Sequence, residues 1–320
     1  MPSNVVLGKA FEYACLQTIE DAALAAGTYP VTRANASYTN ARAAYYAVDP
    51  SEQARLITAS KVGLQLLEPL EPRLFGGSGR LLLELATDHM AVGADGDVRD
   101  VICTRDEMHP EWTIGLSCKH NHSALRHPRI TESMDFGRDW VRTPCGQDFL
   151  EVMTPITQSL VTYGRSGVEW NQIPNKSDDY YVPILQAYRD EIRRMCSADP
   201  DMPAKLLRYF FGALDFYKII MQASSRTTTI EAFNMNDTLN ASLPGKRALI
   251  KVPVTKLPTR LYNIDLKRGS KTTIELTFDG GWAVSMRLHN KDRIAKPTSL
   301  AWDVNLIGLP TGMYINKLPW

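Results

Sequence analysis

Asp100 and Lys119 stand at opposite ends of the segment GDVRDVICTRDEMHPEWTIGLSCKHNH, residues 96–122, and their types and spacing could do chemistry. Val101, Ile102 and Cys103 follow the acid as a β-prone run. Glu111 to Lys119 reads as a second strand, beyond the turn residues Met108-His109-Pro110. Strands so close in sequence are expected to pair as a hairpin. Side chains alternate along a strand, so Thr113, Gly115, Ser117 and Lys119 share one face while Ile114, Leu116 and Cys118 share the other. If Asp100 reaches the face of Lys119, a carboxylate and an ammonium converge at the mouth of the hairpin. Carboxylate oxygen is the ligand type that Mg²⁺ prefers. Such a metal polarises a phosphate and acidifies water, while a lysine orients that water or stabilises the developing charge. The chemistry implied is metal-assisted phosphodiester hydrolysis. The plain alternative is a solvated hairpin whose charges merely flank its strands.

One acid seldom suffices for a metal. Two residues before the lysine stands Ser117, a hydroxyl that can hold water but is a poor Mg²⁺ ligand, so another carboxylate must help. Glu12, Glu84 and Asp97 are the candidates. Other readings of the segment fail on spacing. His120-Asn121-His122 are adjacent, whereas an HNH nuclease disperses its residues over a ββα finger. The histidines have no matching cysteine pair or HExxH helix for zinc. Asp135-Phe-Gly lacks a kinase catalytic loop, and Phe75-Gly-Gly-Ser-Gly-Arg lacks the Lys-Ser/Thr of a phosphate loop.

The elements that must position these groups can be read in order. Val6 to Ala26 predicts an amphipathic helix in which Phe11, Cys15 and Ile19 share a face and Glu12 is offset. Residues 35–70 read as helical, ended by Pro69 and Pro72, and 80–90 as strand or helix. Residues 128–144 read as loop or short helix, and 180–195 and 204–221 as helices that form a buried α layer. After Asn234 the runs 249–254, 260–266, 272–278, 282–288 and 300–307 are β-prone. The expectation is an α/β catalytic core over 1–234 and a β-rich region over 235–320 that contributes to recognition.

Composition is that of a globular chain: 320 residues, 44% apolar and 22% charged, which excludes disorder and collagen. Net charge is +1, so any basic surface must be local. Five cysteines without a CxxC pair argue against a disulfide framework or structural zinc. The N-terminal residues lack a secretory pattern and no apolar run reaches spanning length, so a soluble cytoplasmic protein is expected. The loop after Lys119 carries His120, Asn121, His122, Arg126 and Arg129, suited to phosphate or a base edge. From Gly245 to Lys271 eight basic residues, Lys246 and Arg247 first, face the single acid Asp265. That bias suits a phosphate-tracking surface, or simply a solvated face. Arg287 and His289 alternate with apolar Met286 and Leu288, so both would project from one strand face, where an arginine could read guanine.

Several segments together resemble the HaeIII-type family of type II restriction endonucleases. They are Gly8-Lys-Ala-Phe-Glu-Tyr-Ala, Gly96-Asp-Val-Arg-Asp-Val, Ile114-Gly-Leu-Ser-Cys-Lys-His-Asn-His, Asp135-Phe-Gly, Phe233-Asn-Met-Asn-Asp-Thr-Leu-Asn and Ser285-Met-Arg-Leu-His-Asn, in the family's order. The resemblance implies a restriction-endonuclease-like core, a mixed sheet flanked by helices. It implies Mg²⁺-dependent hydrolysis of both strands of a short GC-rich palindrome such as GGCC, and a companion methyltransferase. It matches Asp100 to the first catalytic acid, Lys119 to the catalytic lysine and Glu12 to an auxiliary glutamate. Ser117 departs from the superfamily pattern and leaves the second ligand open; Glu12 is expected to complete the metal shell, with Asp97 as the reserve ligand.

The leading expectation is a homodimeric, sequence-specific DNA endonuclease, since palindromes are matched by two-fold protein symmetry. A repair or junction-resolving nuclease on the same core would ignore plain duplex. An inert DNA-binding scaffold would hold Asp100 and Lys119 as a structural ion pair.

Overall fold

Ser3 accepts a hydrogen bond from the Val6 amide and starts α1 (Asn4–Ala25), whose Phe11, Cys15 and Ile19 are buried at helical spacing. The computed structural model describes residues 2–76, 79–87, 96–105, 111–121, 124–133 and 135–320. After β1 (Tyr29–Thr32), the helical stretch expected over 35–70 is two helices, α2 (Ala36–Ala47) and α3 (Pro50–Leu67). The division is local chemistry: Asp49 caps the Glu52 amide at 3.0 Å, and Pro50, with no N–H to donate, sits where a helix begins. A single turn, α4 (Pro72–Phe75), leads to β2 (Arg80–Leu85), which settles the strand-or-helix alternative there.

β3 (Val101–Arg105) and β4 (Trp112–His120) form the expected antiparallel hairpin, with Val101 opposite Leu116 and Arg105 opposite Trp112. The long connection beyond it holds α5 (Phe136–Val141), α6 (Gln147–Ser166), α7 (Val182–Ala198) and α8 (Met202–Phe211). It returns the chain to β5 (Phe216–Gln222), parallel to β4, a pairing that requires such a crossover. Then follow β6 (Thr227–Phe233), β7 (Leu261–Leu266), β8 (Thr273–Phe278), β9 (Ala283–Asn290), β10 (Leu300–Gly308) and β11 (Ile315–Pro319). The first sheet runs β1-β2-β3-β4-β5-β6-β11 and is mixed; the second runs β10-β9-β8-β7 and is antiparallel. The fold is therefore α/β, with a mixed sheet flanked by helices and a further antiparallel sheet.

Two expectations need correction, and one helix was not expected. The helix read over 204–221 is α8 followed by β5. Gly212 ends the helix at φ +87°, and Phe216-Tyr-Lys-Ile-Ile-Met is a strand buried on both faces, so its residues show no polar–apolar alternation to separate it from a helix. Residues 249–254 make no strand: the Leu249 and Ile250 amides bond to the Pro69 carbonyl, which ties them to the end of α3. Helix α6, absent from the sequence reading, carries Pro155 within it.

One face of the first sheet, with Ile114, Leu116, Cys118, Ile219 and Ile230, is covered by α1 and α3. The second core joins α5–α8 to the inner face of the second sheet and reaches the first sheet at Phe216 and Phe233, whose rings stack 4.6 Å apart. Two quoted segments prove to be fold devices. Asp135 caps α5 through the Arg138 amide, and buried Asp215 accepts from the Met235, Asn236 and Thr238 amides, fixing the turn after β6.

Candidate active site

Asp100 is fixed by its backbone before its side chain is considered. Its amide donates to the Leu116 carbonyl at 2.7 Å, and its carbonyl accepts from Ala86 at 2.9 Å, so it continues the sheet between β2 and β4. Just upstream the chain leaves the ladder, and the carboxylate turns into the gap. Its Oδ2 accepts from the Cys118 amide at 2.7 Å, the Lys119 ammonium at 3.2 Å and the Ser117 hydroxyl at 3.3 Å. Ser117 thus orients the acid rather than replacing the missing one. The convergence expected at the hairpin mouth is present.

Glu12 arrives from the other layer. α1 crosses the sheet against β4 and directs Glu12 and Lys9 into the same cleft of about 710 Å³ that Asp100 and Lys119 line. The Lys9 ammonium lies 3.1 Å from Glu12 Oε2. Burial, and then the nearby Asp100 carboxylate, push the Glu12 carboxyl up to about 7, while Lys9 and Lys119 pull the other way. Lys119 shifts upward: burial favours its neutral form, but the Asp100 and Glu12 carboxylates more than offset that. Lys119 is therefore a cation at neutral pH, suited to stabilising negative charge and not to removing a proton.

Among the described residues there is no cluster of three or more metal-ligating side chains. Of the carboxylates that line the cleft, Asp100 and Glu12 both act on Lys119 and could hold a metal ion. That fits Mg²⁺, which keeps several waters and is commonly held by one or two carboxylates plus substrate phosphates.

The other expected residues divide. Asp97 lines the cleft, but its two oxygens are taken by Arg99, at 2.8 and 2.7 Å, so it is not free to serve as a reserve ligand without breaking that pair. Glu84 bonds to Arg33 at 3.1 Å. Arg126 and Arg129 line the cleft wall; Arg126 lies over the Tyr209 ring at 4.2 Å, and Arg129 is 3.1 Å from Asp292. His120 and Asn121 do not come to the cleft. The strand continues through His120, and alternation turns its side chain to the opposite face, 3.7 Å from Glu52 on α3. The Asn121 side chain accepts from the Ala223 amide and holds the ends of β4 and β5 together. His122 lies outside the described residues. Lys246 and Arg247 are exposed in a turn away from the cleft lining, and Arg287 and His289 lie on β9, with Arg287 directed to solvent.

Three groups escaped the sequence reading. Lys9 was visible only as the partner of Glu12 three residues on. Lys218, 1% exposed on β5 opposite Ser117, interrupts an apolar run, and that interruption was the available clue. Burial, opposed by Glu231 at 3.6 Å and reinforced by the Lys119 charge, pulls it down to about 8. From Asp100, just before β3, a polar row thus continues across β4, β5 and β6 through Ser117, Lys218 and Glu231.

The third is Arg99, whose stem lies flat over Gly115. A Cβ at that position would overlap Arg99 Cβ, Cγ and Cδ, the rigid end of the side chain. Gly115→Ala is expected to expel Arg99, open the Asp97 clasp beside Asp100 and lower stability by about 1–3 kcal/mol. Urea denaturation checks this; an unchanged midpoint would show that Arg99 is not packed there.

Residues 8–310 match the family described as HaeIII restriction endonuclease. The chain is 34% identical over 314 residues, 98% of its own length and 97% of the relative's, to the type II restriction enzyme HaeIII of Haemophilus aegyptius. No solved structure matches it. With a match over nearly its whole length, and an acid–lysine hairpin of the kind that phosphodiester hydrolysis uses, the chain belongs to the HaeIII restriction endonuclease family.

Proposed function

We propose that this chain, a type II restriction endonuclease by family, hydrolyses both strands of duplex DNA at a short GC-rich palindrome, GGCC as the family resemblance implies, with Mg²⁺ as cofactor. The observation that carries the reading is the meeting of Asp100, Lys119 and Glu12 in one cleft from two separate layers of the fold. Asp100 and Glu12 would hold the ion, which when bound polarises the scissile phosphate and favours ionisation of water. Ser117 and the Cys118 amide keep Asp100 aimed into the cleft. Lys119 faces the phosphate and stabilises the charge that grows as water forms its bond to phosphorus and the P–O bond to the leaving deoxyribose breaks. The proton released by the attacking water passes to solvent, and the leaving oxygen takes one up from solvent.

Residues 1–234 supply the catalytic core in this reading and 235–320 contribute to DNA recognition. Arg126 and Arg129 on the cleft wall, Arg287 and His289 on β9, and the exposed Lys246 and Arg247 make the DNA contacts. A palindromic target implies two copies related by a two-fold axis. Host DNA would be shielded by a methyltransferase acting on the same site, in the cytoplasm. Among the described residues no helix is long and apolar enough to cross a membrane.

Incubation of the purified protein with Mg²⁺ and unmethylated DNA, followed by sequencing of the fragment ends, tests all of this at once. Recurrent ends at one palindrome are expected. Intact DNA under a range of divalent ions would remove the proposal.

A further inference from the structure

The outer face of the second sheet carries an ion pair beside the cleft. Arg287 on β9 stands opposite Asp303 on β10 in the strand register, and their side chains meet at 3.3 Å. The other oxygen of Asp303 lies 3.5 Å from His127 Nδ1. His127 belongs to a segment that runs along the free edge of β10: Arg126 bridges Val304, Arg129 bridges Ala301, and the Trp302 amide donates to the Pro128 carbonyl at 2.8 Å. That same segment is a wall of the cleft holding Asp100 and Lys119. Asp303 is therefore linked through His127 to the wall of the cleft that Asp100 and Lys119 also line.

A carboxylate there is at odds with phosphate tracking, because it repels the backbone that Arg129 and Arg287 attract. The conflict disappears if the carboxylate meets a base edge. In the major groove cytosine offers its N4 amino group as a donor, for which Asp is a matching acceptor, and guanine offers O6 and N7, which an arginine fork bonds bidentately. Opposed residues on adjacent antiparallel strands have Cβ atoms about 4.5–5.5 Å apart, so the two side chains can address the two halves of one base pair. Arg287 is 57% exposed, while Asp303, at 20%, is held from behind, so the acid is the fixed element and the arginine the mobile one.

We infer that Arg287 and Asp303 read one G·C base pair of the target, the acid taking cytosine and the guanidinium taking guanine. Their mutual ion pair in the free protein keeps both charges partnered until the base pair replaces it. The assignment rests on the endonuclease reading above and deepens it.

The test compares the unaltered protein, Asp303→Asn and Arg287→Lys on a set of duplexes in which every position of the target carries each alternative base pair. Both substitutions keep size or charge, and both lie on the surface, so folding is preserved. Each is expected to lower kcat/KM on the target by about 10- to 100-fold. Each should also shrink discrimination at the same base pair, with its symmetry mate, and at no other. A merely structural ion pair would lower cleavage of all duplexes alike, and that uniform loss would overturn the assignment. Discrimination left unchanged at every position would overturn it too, while leaving the endonuclease reading in place. An unaltered protein that cuts no duplex would remove both.

Discussion

Lys119→Met is expected to bind duplex DNA in Ca²⁺ within a few-fold of the unaltered protein and to cut it in Mg²⁺ at least about 10³-fold more slowly. The separation of binding from cleavage follows from the geometry. Lys119 lies 3.2 Å from Asp100 at the inner end of the cleft, only 16% exposed, and the walls that would hold DNA are made by other residues. Methionine preserves the length of the side chain and its packing. Asp100 would keep the Cys118 amide at 2.7 Å and the Ser117 hydroxyl at 3.3 Å, so the acid stays in place. What is lost is the cation that pairs with Asp100, in a site where the surrounding protein amplifies electrostatic effects. Gel-shift and single-turnover measurements on the same preparation check this. Cleavage within ten-fold of the unaltered rate would mean that Lys119 is a structural partner of Asp100.

Glu12→Gln is expected to abolish Mg²⁺-dependent cleavage while making the metal-free protein more stable. A residue that served the fold alone would not combine those two effects. Burial and the Asp100 charge raise the Glu12 carboxyl from its ordinary 4.5 to about 7. The folded state therefore binds more protons at this position than the unfolded state between those values. Stability from this group falls as pH rises through the window, and the cost is fully present above about 7. Glutamine carries no charge to desolvate, so the variant should gain of order 1–3 kcal/mol over the unaltered protein at pH 8 and little at pH 4. Metal binding works against the same proton, so Mg²⁺ affinity of the unaltered protein should weaken as pH falls below about 7. Thermal unfolding at both pH values, with and without Mg²⁺, measures this. A variant less stable than the unaltered protein at pH 8 would place Glu12 in a structural ion pair with Lys9.

How much of this was legible in the sequence depended on how local the determining physics was. The β3–β4 hairpin and the convergence of Asp100 with Lys119 follow from strand alternation and a turn, both encoded within one short stretch. Alternation also explains the error at His120. The polar letters after Lys119 look like a loop, but one more residue of strand turns the imidazole to the α3 side. Glu12 was legible as a helical residue offset from a buried stripe. That the offset faces Asp100 is a matter of how α1 crosses the sheet, which no spacing within α1 records. β5 was misread because burial on both faces removes the period that distinguishes strand from helix. The role of Asp303 depends on cross-strand register and on the 124–130 edge segment, which exist only in the folded chain.

The central claim is that the hairpin and α1 together build one metal site from Asp100 and Glu12. Calorimetric titration of Ca²⁺ into the protein bound to uncut duplex tests it most directly, in the unaltered chain, Asp100→Asn and Glu12→Gln. Saturable binding in the unaltered chain, weakened by about ten-fold or more in each variant, is the expected result. Binding in Glu12→Gln equal to that of the unaltered chain would contradict it by removing Glu12 from the site, and no carboxylate-dependent binding at all would contradict it by leaving Asp100 and Lys119 as an ion pair without a metal.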